Sequence, residues 1–443
     1  MAYWCGARSL SVTLAHGPAP SGKEGTRMPG DFVAGGPPDK AYGAGASHAV
    51  ATLAHHLDVA YLVETLCRLA RVPTDVPLGF QTLMEPDDPK LVHYAQEVVR
   101  PELVRLGIYN LVDAGRNNLI AWLGSGESGR SLLIQNYTPA QHHNLMAGPF
   151  SGRVASVRIE GRDEPAVFGQ GVSQNKAHQA VMLAVLKLLQ EDGVHLRGRL
   201  FWAINNEGRS SHACSEAILA ALPEKPTFGV LQLDTGLAIS LGNRGRVDVN
   251  VHVQGRAAHS SMPGEGLSAI EGAHQVIERL KTLEWPERHP LLGGRHAVVY
   301  KIRYEPVAPH TLPGDAYLTV DRRLLPGDDP DAATDEIRAA IGELAPYQVT
   351  VERGVFMLPA LVDPGEPGVR ALTEAHRAVL GADPAYSYGQ GTFDAGGPCA
   401  AGIPTVMYGA GGGGGLIGDD FVPISAVVAE ARVLTQLILS MLL

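Results

Sequence analysis

The chain has 443 residues, 45% hydrophobic and 19% charged, an ordinary globular composition with enough length to bury more than one core. Its formal net charge of −10, with no cluster of Lys and Arg, argues against a nucleic-acid partner. Cys5, Cys67, Cys214 and Cys399 lie far apart with no CxxC spacing, which excludes a disulfide framework or a cysteine metal site and fits a reducing cytoplasm.

No apolar run has the length of a membrane span. The patch Leu10 to Ala15 is too short for a secretory core, so the expected location is cytoplasmic.

Residues 1–55 are rich in Gly, Pro, Ala and Ser. Such a segment cannot bury enough apolar surface to offset its ordering entropy, so it is expected to be a disordered tail, with Met28 an alternative start. Val59, Leu62, Val63, Leu66 and Leu69 then recur at helical spacing until Pro73, and a second helix is expected from Leu91 to Leu106. Short apolar strands follow at 131–135, 199–204 and 229–234, with a helix from Lys176 to Leu189. Alternation of this kind predicts an α/β layer with a largely parallel sheet and its chemistry at the carboxyl ends of the strands.

After Gly245 the pattern changes. VDVNVHVQ (247–254) alternates strictly, as a half-exposed strand does. A helix at Ala269 to Leu283, strands near 297–304 and 316–324, a helix at 331–343 and a strand at 347–353 give the β-α-β-β-α-β order of a ferredoxin-like unit. The α/β pattern returns with a helix from Gly368 to Leu380 and a strand at 404–409. The expected organisation is therefore one α/β domain, 56–244 and 356–443, interrupted by a smaller α+β domain, 245–355.

Several loops carry recognisable motifs: RNNLIAWL (116–123), PFSGRV (149–154), FGQGVSQNKAH (168–178), GRAAHSSMPGEGLSAIEGA (255–273), VDRRLLPGDD (320–329) and GTFDAGGPCAAGIPTVMYGAGG (391–412). In that order they resemble the zinc peptidase family of aminoacylase-1, carboxypeptidase G, acetylornithine deacetylase and succinyl-diaminopimelate desuccinylase. The resemblance runs from about residue 57 to the C-terminus. It implies a catalytic domain with an inserted lid, a homodimer joined through that lid, and a small amide or amino-acid-like substrate.

The resemblance also implies two zinc ions bridged by a carboxylate, with a Glu as general base. At the matching positions this chain departs from the pattern. Tyr137 stands for the first His and Gln174, followed by Asn175, for the bridging Asp. Asn206 stands for the general base, and Leu416 for the last His ahead of Asp419 and Asp420. Glu207 and Asp234 alone keep a carboxylate. A neutral amide cannot bridge two dications, a phenol is neutral at pH 7, and leucine has no donor atom. The expectation is a pocket rebuilt with neutral polar groups, with no metal and no cofactor; zinc enters only if this ligand assignment is wrong. His142 and His143 could replace the lost ligand, although two exposed loop histidines is the plainer account.

The lid keeps His259, which matches a family His that reaches the partner's active site and steadies an oxyanion. Arg323 matches the Arg that binds a substrate carboxylate, or else forms a surface pair with Asp321. His310 replaces a substrate-binding Asn, and Thr392 and Asp394 match a turn beneath the substrate. Gly411 to Gly415 is expected to be a mobile loop. Three functions stay open: metal-free acyl or amine chemistry with Glu207 and Asp234 as acid and base, a non-catalytic binding protein, or a hydrolase with an unusual metal site.

Overall fold

A computed structural model describes residues 53–75, 85–140, 146–206, 211–413 and 418–443. The expected tail up to residue 52, Met28, His142, His143, Glu207, Gly414, Gly415 and Leu416 lie outside these. Described structure starts just before Leu57, with a turn at Ala54–His56 that buries Ala54.

The large sheet is mixed rather than largely parallel. Its centre is parallel: Ser131–Tyr137 lies between Arg199–Asn205 and Phe228–Gln232, and Thr405–Tyr408 adds beyond the latter. Its flanks bring in antiparallel pairs: Leu119–Leu123 pairs with Leu111–Asp113 and Arg199–Asn205, and Ile239–Asn243 with Thr405–Tyr408 and Ala360–Leu361, while Tyr386–Gly389 adds to Ile239–Asn243 in parallel. Helices Val59–Ala70 and Ala177–Glu191 cover one face. They are joined by the C-terminal helix Ile424–Leu442, 19 residues long and apolar enough by length and composition to cross a membrane, which the strand-by-strand expectation missed. Here its Val433, Leu434, Leu437 and Ile438 are buried in the core.

The smaller unit has the anticipated order. Strands Gly245–Gln254, Ala297–Glu305, Asp315–Leu324 and Gln348–Met357 pair antiparallel, with Gly245–Gln254 and Asp315–Leu324 central. Val247, Val249, Val251 and Val253 point to one face, as strict alternation requires, and pack with Val276, Leu280, Ile337 and Ile341 from two helices. The second helix, Pro330–Ile341, begins where Asp329 accepts the N–H groups of Asp331 and Ala332, with Pro330 at its first position. The protein is thus an α/β domain carrying an inserted α+β lid, and two hinge segments bring the lid beside the carboxyl ends of the parallel strands.

Candidate functional site

Strand polarity gathers the candidates. The parallel strands end at Tyr137, Asn205 and Gln232, so the loops holding Asn206, Asp234 and the glycines after Tyr408 share one edge of the sheet.

Tyr137 is buried, and its hydroxyl accepts the backbone N–H of Asp394 at 2.8 Å. Asp394 is buried as well. One carboxylate oxygen takes His212 Nδ1 at 2.5 Å, the other Asn205 Nδ2 at 2.7 Å. His212 Nε2 accepts the N–H of Leu358 at 2.7 Å, which puts the imidazole proton on Nδ1, facing Asp394. Tyr137, expected in the rebuilt neutral pocket, and Asp394, expected in the turn beneath the substrate, therefore meet in a hydrogen-bonded joint between the sheet and the 391–396 turn.

Gln174 and Asn175 occupy a single π-helical turn, Val172–Lys176, that runs straight into the helix Ala177–Glu191. Asp420 holds the start of that turn, accepting the N–H groups of Gly171 at 2.7 Å and Ser173 at 3.2 Å. Burial pushes Asp420 up to about 6, against those hydrogen bonds and the nearby Lys176. Lys176 is also buried, donates to the Val72 carbonyl at 2.6 Å, and is pushed down to about 7 by burial. The Gln174–Asn175 bond is trans; among the described residues only Glu305–Pro306 and Ala345–Pro346 are cis.

Asn175 donates its Nδ2 to the carbonyl of Pro139 at 2.6 Å. Asn206 donates its Nδ2 to the Asn117 carbonyl, and its backbone N–H goes to Asn118 Oδ1 at 3.1 Å. With both amide nitrogens committed, Asn175 Oδ1 and Asn206 Oδ1 are left as buried acceptors with no donor among the described residues.

Asp234 is half-buried under the glycine loop. A side chain at Gly411 would come within 3.3 Å of Asp234 Oδ1, one at Gly409 within 2.6 Å of His178, and one at Gly412 within 2.5 Å of Ser173. The expected mobile loop is, over Gly411–Gly413, packed onto the site, and Gly413 bridges to Phe421. The glycines serve close approach here.

Below Asp234 lies a pair that motif matching missed. His178 Nδ1 sits 2.9 and 3.0 Å from the two oxygens of Glu430, and both residues are fully buried. Glu430 also accepts Gln232 Nε2 at 2.7 Å and the N–H of Ala410 at 3.0 Å. Burial works against a charged His178, but Glu430 and Asp234 outweigh it and raise its pKa. The only signal in the sequence was an acid and a histidine inside otherwise apolar helices.

The lid candidates form two separate groups. His259 pairs with Thr311 in a short ladder, and its exposed ring lies 6.2 Å from that of His310. Ser261 N–H reaches His259 Nδ1 at 3.2 Å. His310 holds a left-handed backbone with φ 53°. Among the described residues, no hydrogen bond or ring contact ties either histidine to Asn175 or Asn206 within one chain. Arg323 sits at the other end of the lid. It grips Asp321 with Nε and Nη2, both at 2.9 Å, and donates Nη1 to Thr392 Oγ1 at 2.8 Å. The two alternatives for Arg323 thus coexist: it pairs with Asp321 and still reaches the turn at Thr392.

Comparison with known proteins gives a consistent picture. Residues 241–348 match the M20 peptidase dimerisation domain. The chain is 27% identical over 172 residues to the acetylornithine deacetylase of Proteus mirabilis, covering 38% of this chain and 41% of that protein. It is 26% identical over 261 residues to carboxypeptidase G2 of Pseudomonas sp., covering 56% and 58%. The matched stretch thus spans about half the length of these curated relatives. Among solved structures, an M20 family metallo-carboxypeptidase, Sso-CP2 of Sulfolobus solfataricus, superposes with a TM-score of 0.67 at 17% identity, covering 86% of this chain and 98% of that one. The di-peptidase Dug1p of Saccharomyces cerevisiae gives 0.66 at 14% identity, covering 89% and 98%. These two likenesses show the fold.

Proposed function

We propose that the chain is a member of the M20 peptidase family, whose dimerisation domain its residues 241–348 match, and that it binds a small amide or amino-acid-like molecule in a pocket that works without that family's zinc pair. The observation carrying this reading is the pair of buried, undonated oxygens Asn175 Oδ1 and Asn206 Oδ1. A buried acceptor without a donor costs about 1–3 kcal/mol, and an N–H group of a ligand recovers it. With the carboxylate of Asp234 at the same edge of the sheet, they offer acceptors suited to an amide or ammonium nitrogen. Arg323, whose Nε–Nη2 fork already holds Asp321, places positive charge and its remaining Nη hydrogens beside Thr392, where a ligand carboxylate at the lid would sit.

The donor set does not fit two zinc ions. The phenol of Tyr137 is already accepting a backbone N–H, Gln174 and Asn206 are neutral amides, and Leu416 has no donor atom. Glu207 and Asp234 then act as acid and base in acyl or amine chemistry such as cyclisation, condensation or elimination, with the partner's His259 donating to the developing oxyanion.

The test is a panel of N-acyl amino acids and amino-acid amides, assayed for turnover with and without a chelator. Turnover that survives the chelator and falls in Asp234→Asn supports the reading. Turnover abolished by the chelator and restored by zinc sinks it in favour of ordinary hydrolysis. A second, non-catalytic reading draws on Asn206, a neutral amide where the resemblance implies the general base. It predicts ligand binding with no turnover at all.

A further inference from the structure

Where the lid meets the larger domain, positive charge outruns negative. Arg244 lies in the hinge just before the strand Gly245–Gln254 and is buried, yet among the described residues it has no carboxylate partner. Its Nε donates to the Leu292 carbonyl at 2.6 Å and its Nη1 to His296 Nδ1 at 3.2 Å. A guanidinium can only donate, so His296 accepts at Nδ1 and keeps its proton on Nε2. Burial first, then Arg244 and Arg323, holds His296 below the usual histidine range, which leaves it a neutral donor.

The third nitrogen of Arg244 points at Gly293. A Cβ there would fall 2.6 Å from Arg244 Nη2, with Gln390 Oε1 at 3.6 Å and Arg288 Nη2 at 3.7 Å. Gly293 also has φ 75°, so a glycine both forms the turn and leaves these groups room to converge. Arg288, exposed, likewise has no carboxylate partner among the described residues. The acids nearby are already engaged: Asp321 with Arg323 at 2.9 Å, and Asp248 with Arg246 at 3.6 Å and the Tyr300 hydroxyl at 2.9 Å. Arg244 and Arg288 remain as two uncompensated positive charges beside the Arg323–Thr392 contact.

We propose that this junction binds a compact dianion, the doubly charged end of the ligand, either a dicarboxylate or a phosphate monoester. A single carboxylate can neutralise only one of the two guanidiniums, buried Arg244 or exposed Arg288, and leaves the other without a counter-ion. A dianion matches both, and His296 Nε2–H and Thr392 Oγ add neutral hydrogen bonds. That this anion belongs to the substrate rests on the function proposed above; the anion preference itself does not.

The experiment is isothermal titration of the full-length protein with acetate, succinate and inorganic phosphate at constant ionic strength. Succinate or phosphate should bind about tenfold or more tightly than acetate, the worth of one extra charge-assisted contact. Preference for succinate assigns a dicarboxylate, and preference for phosphate a phosphate ester. Arg244→Gln should abolish the preference. Arg288→Gln, at an exposed position that leaves the fold intact, should weaken it several-fold. Equal binding of acetate and both dianions, or a preference that survives both substitutions, overturns the proposal. Asp234→Asn separates the two readings: it should leave dianion binding unchanged even if the acceptor surface around Asp234 proves to bind nothing.

Discussion

The hydroxyl of Tyr137 accepts the backbone N–H of Asp394 at 2.8 Å, so the residue that the resemblance aligns with a zinc ligand is spent on holding the 391–396 turn against the sheet. Tyr137→Phe should leave that buried N–H without an acceptor and destabilise the protein by about 1–3 kcal/mol. Urea denaturation checks this. An unchanged midpoint would mean that Tyr137 is not part of the joint.

Metal content follows from the same residues. Purified protein should hold well under one tightly bound zinc per chain by elemental analysis, since Tyr137, Gln174 and Leu416 offer no charged ligand. Asn206→Glu alone should not create amide hydrolysis, because a base without a metal-bound water has nothing acidic to deprotonate. Stoichiometric zinc that copurifies would refute the ligand assignment.

The His178–Glu430 pair predicts a pH dependence of stability. Glu430 from the C-terminal helix and Asp234 from the loop above both face His178 and raise its pKa over the ordinary 6.5; Tyr408, pushed up by burial and then by Glu430, stays neutral. A raised folded value means the stabilisation is complete below about pH 6.5 and is lost as pH climbs through the folded value. Melting curves from pH 5 to 9 should therefore show wild type losing its advantage over His178→Gln as pH rises. Parallel curves at all pH values would show that the pair does not titrate in this way.

The lid's outer strand, Ala297–Glu305, exposes Val298, Tyr300, Ile302 and Tyr304 along an unpaired edge. A long apolar edge of this kind invites pairing with a second copy. Light scattering at micromolar concentration should give a dimer, and Ile302→Asp with Tyr304→Asp should give a monomer whose melting temperature falls little. A wild-type monomer would remove the basis for placing His259 in the partner's site.

Much of the architecture was legible along the chain. The lid's alternating valines, Val247 to Val253, and its two amphipathic helices carry their burial in their periodicity, and the structure returns the same strands and helices within a few residues. The departures in the larger domain have a common cause. Whether a strand runs parallel or antiparallel depends on its neighbours, so the antiparallel flanks at Leu119–Leu123 and Ile239–Asn243 leave no local mark. The glycine run failed differently: glycine permits mobility and close packing alike, and only the side chains opposite decide between them.

The sequence by itself determined the motifs, their order, the alternating pattern of 247–254 and the chemical identity of Tyr137, Gln174, Asn206 and Asp234, because those are properties of residues in order. Tertiary structure alone decided what those groups face. Tyr137 meets Asp394 across 257 positions of chain, His178 meets Glu430 across 252, and Arg244 reaches His296 across 52. Hydrogen bonds and ion pairs act over a few ångströms, so their partners become known only when the folded backbone brings distant side chains within that range.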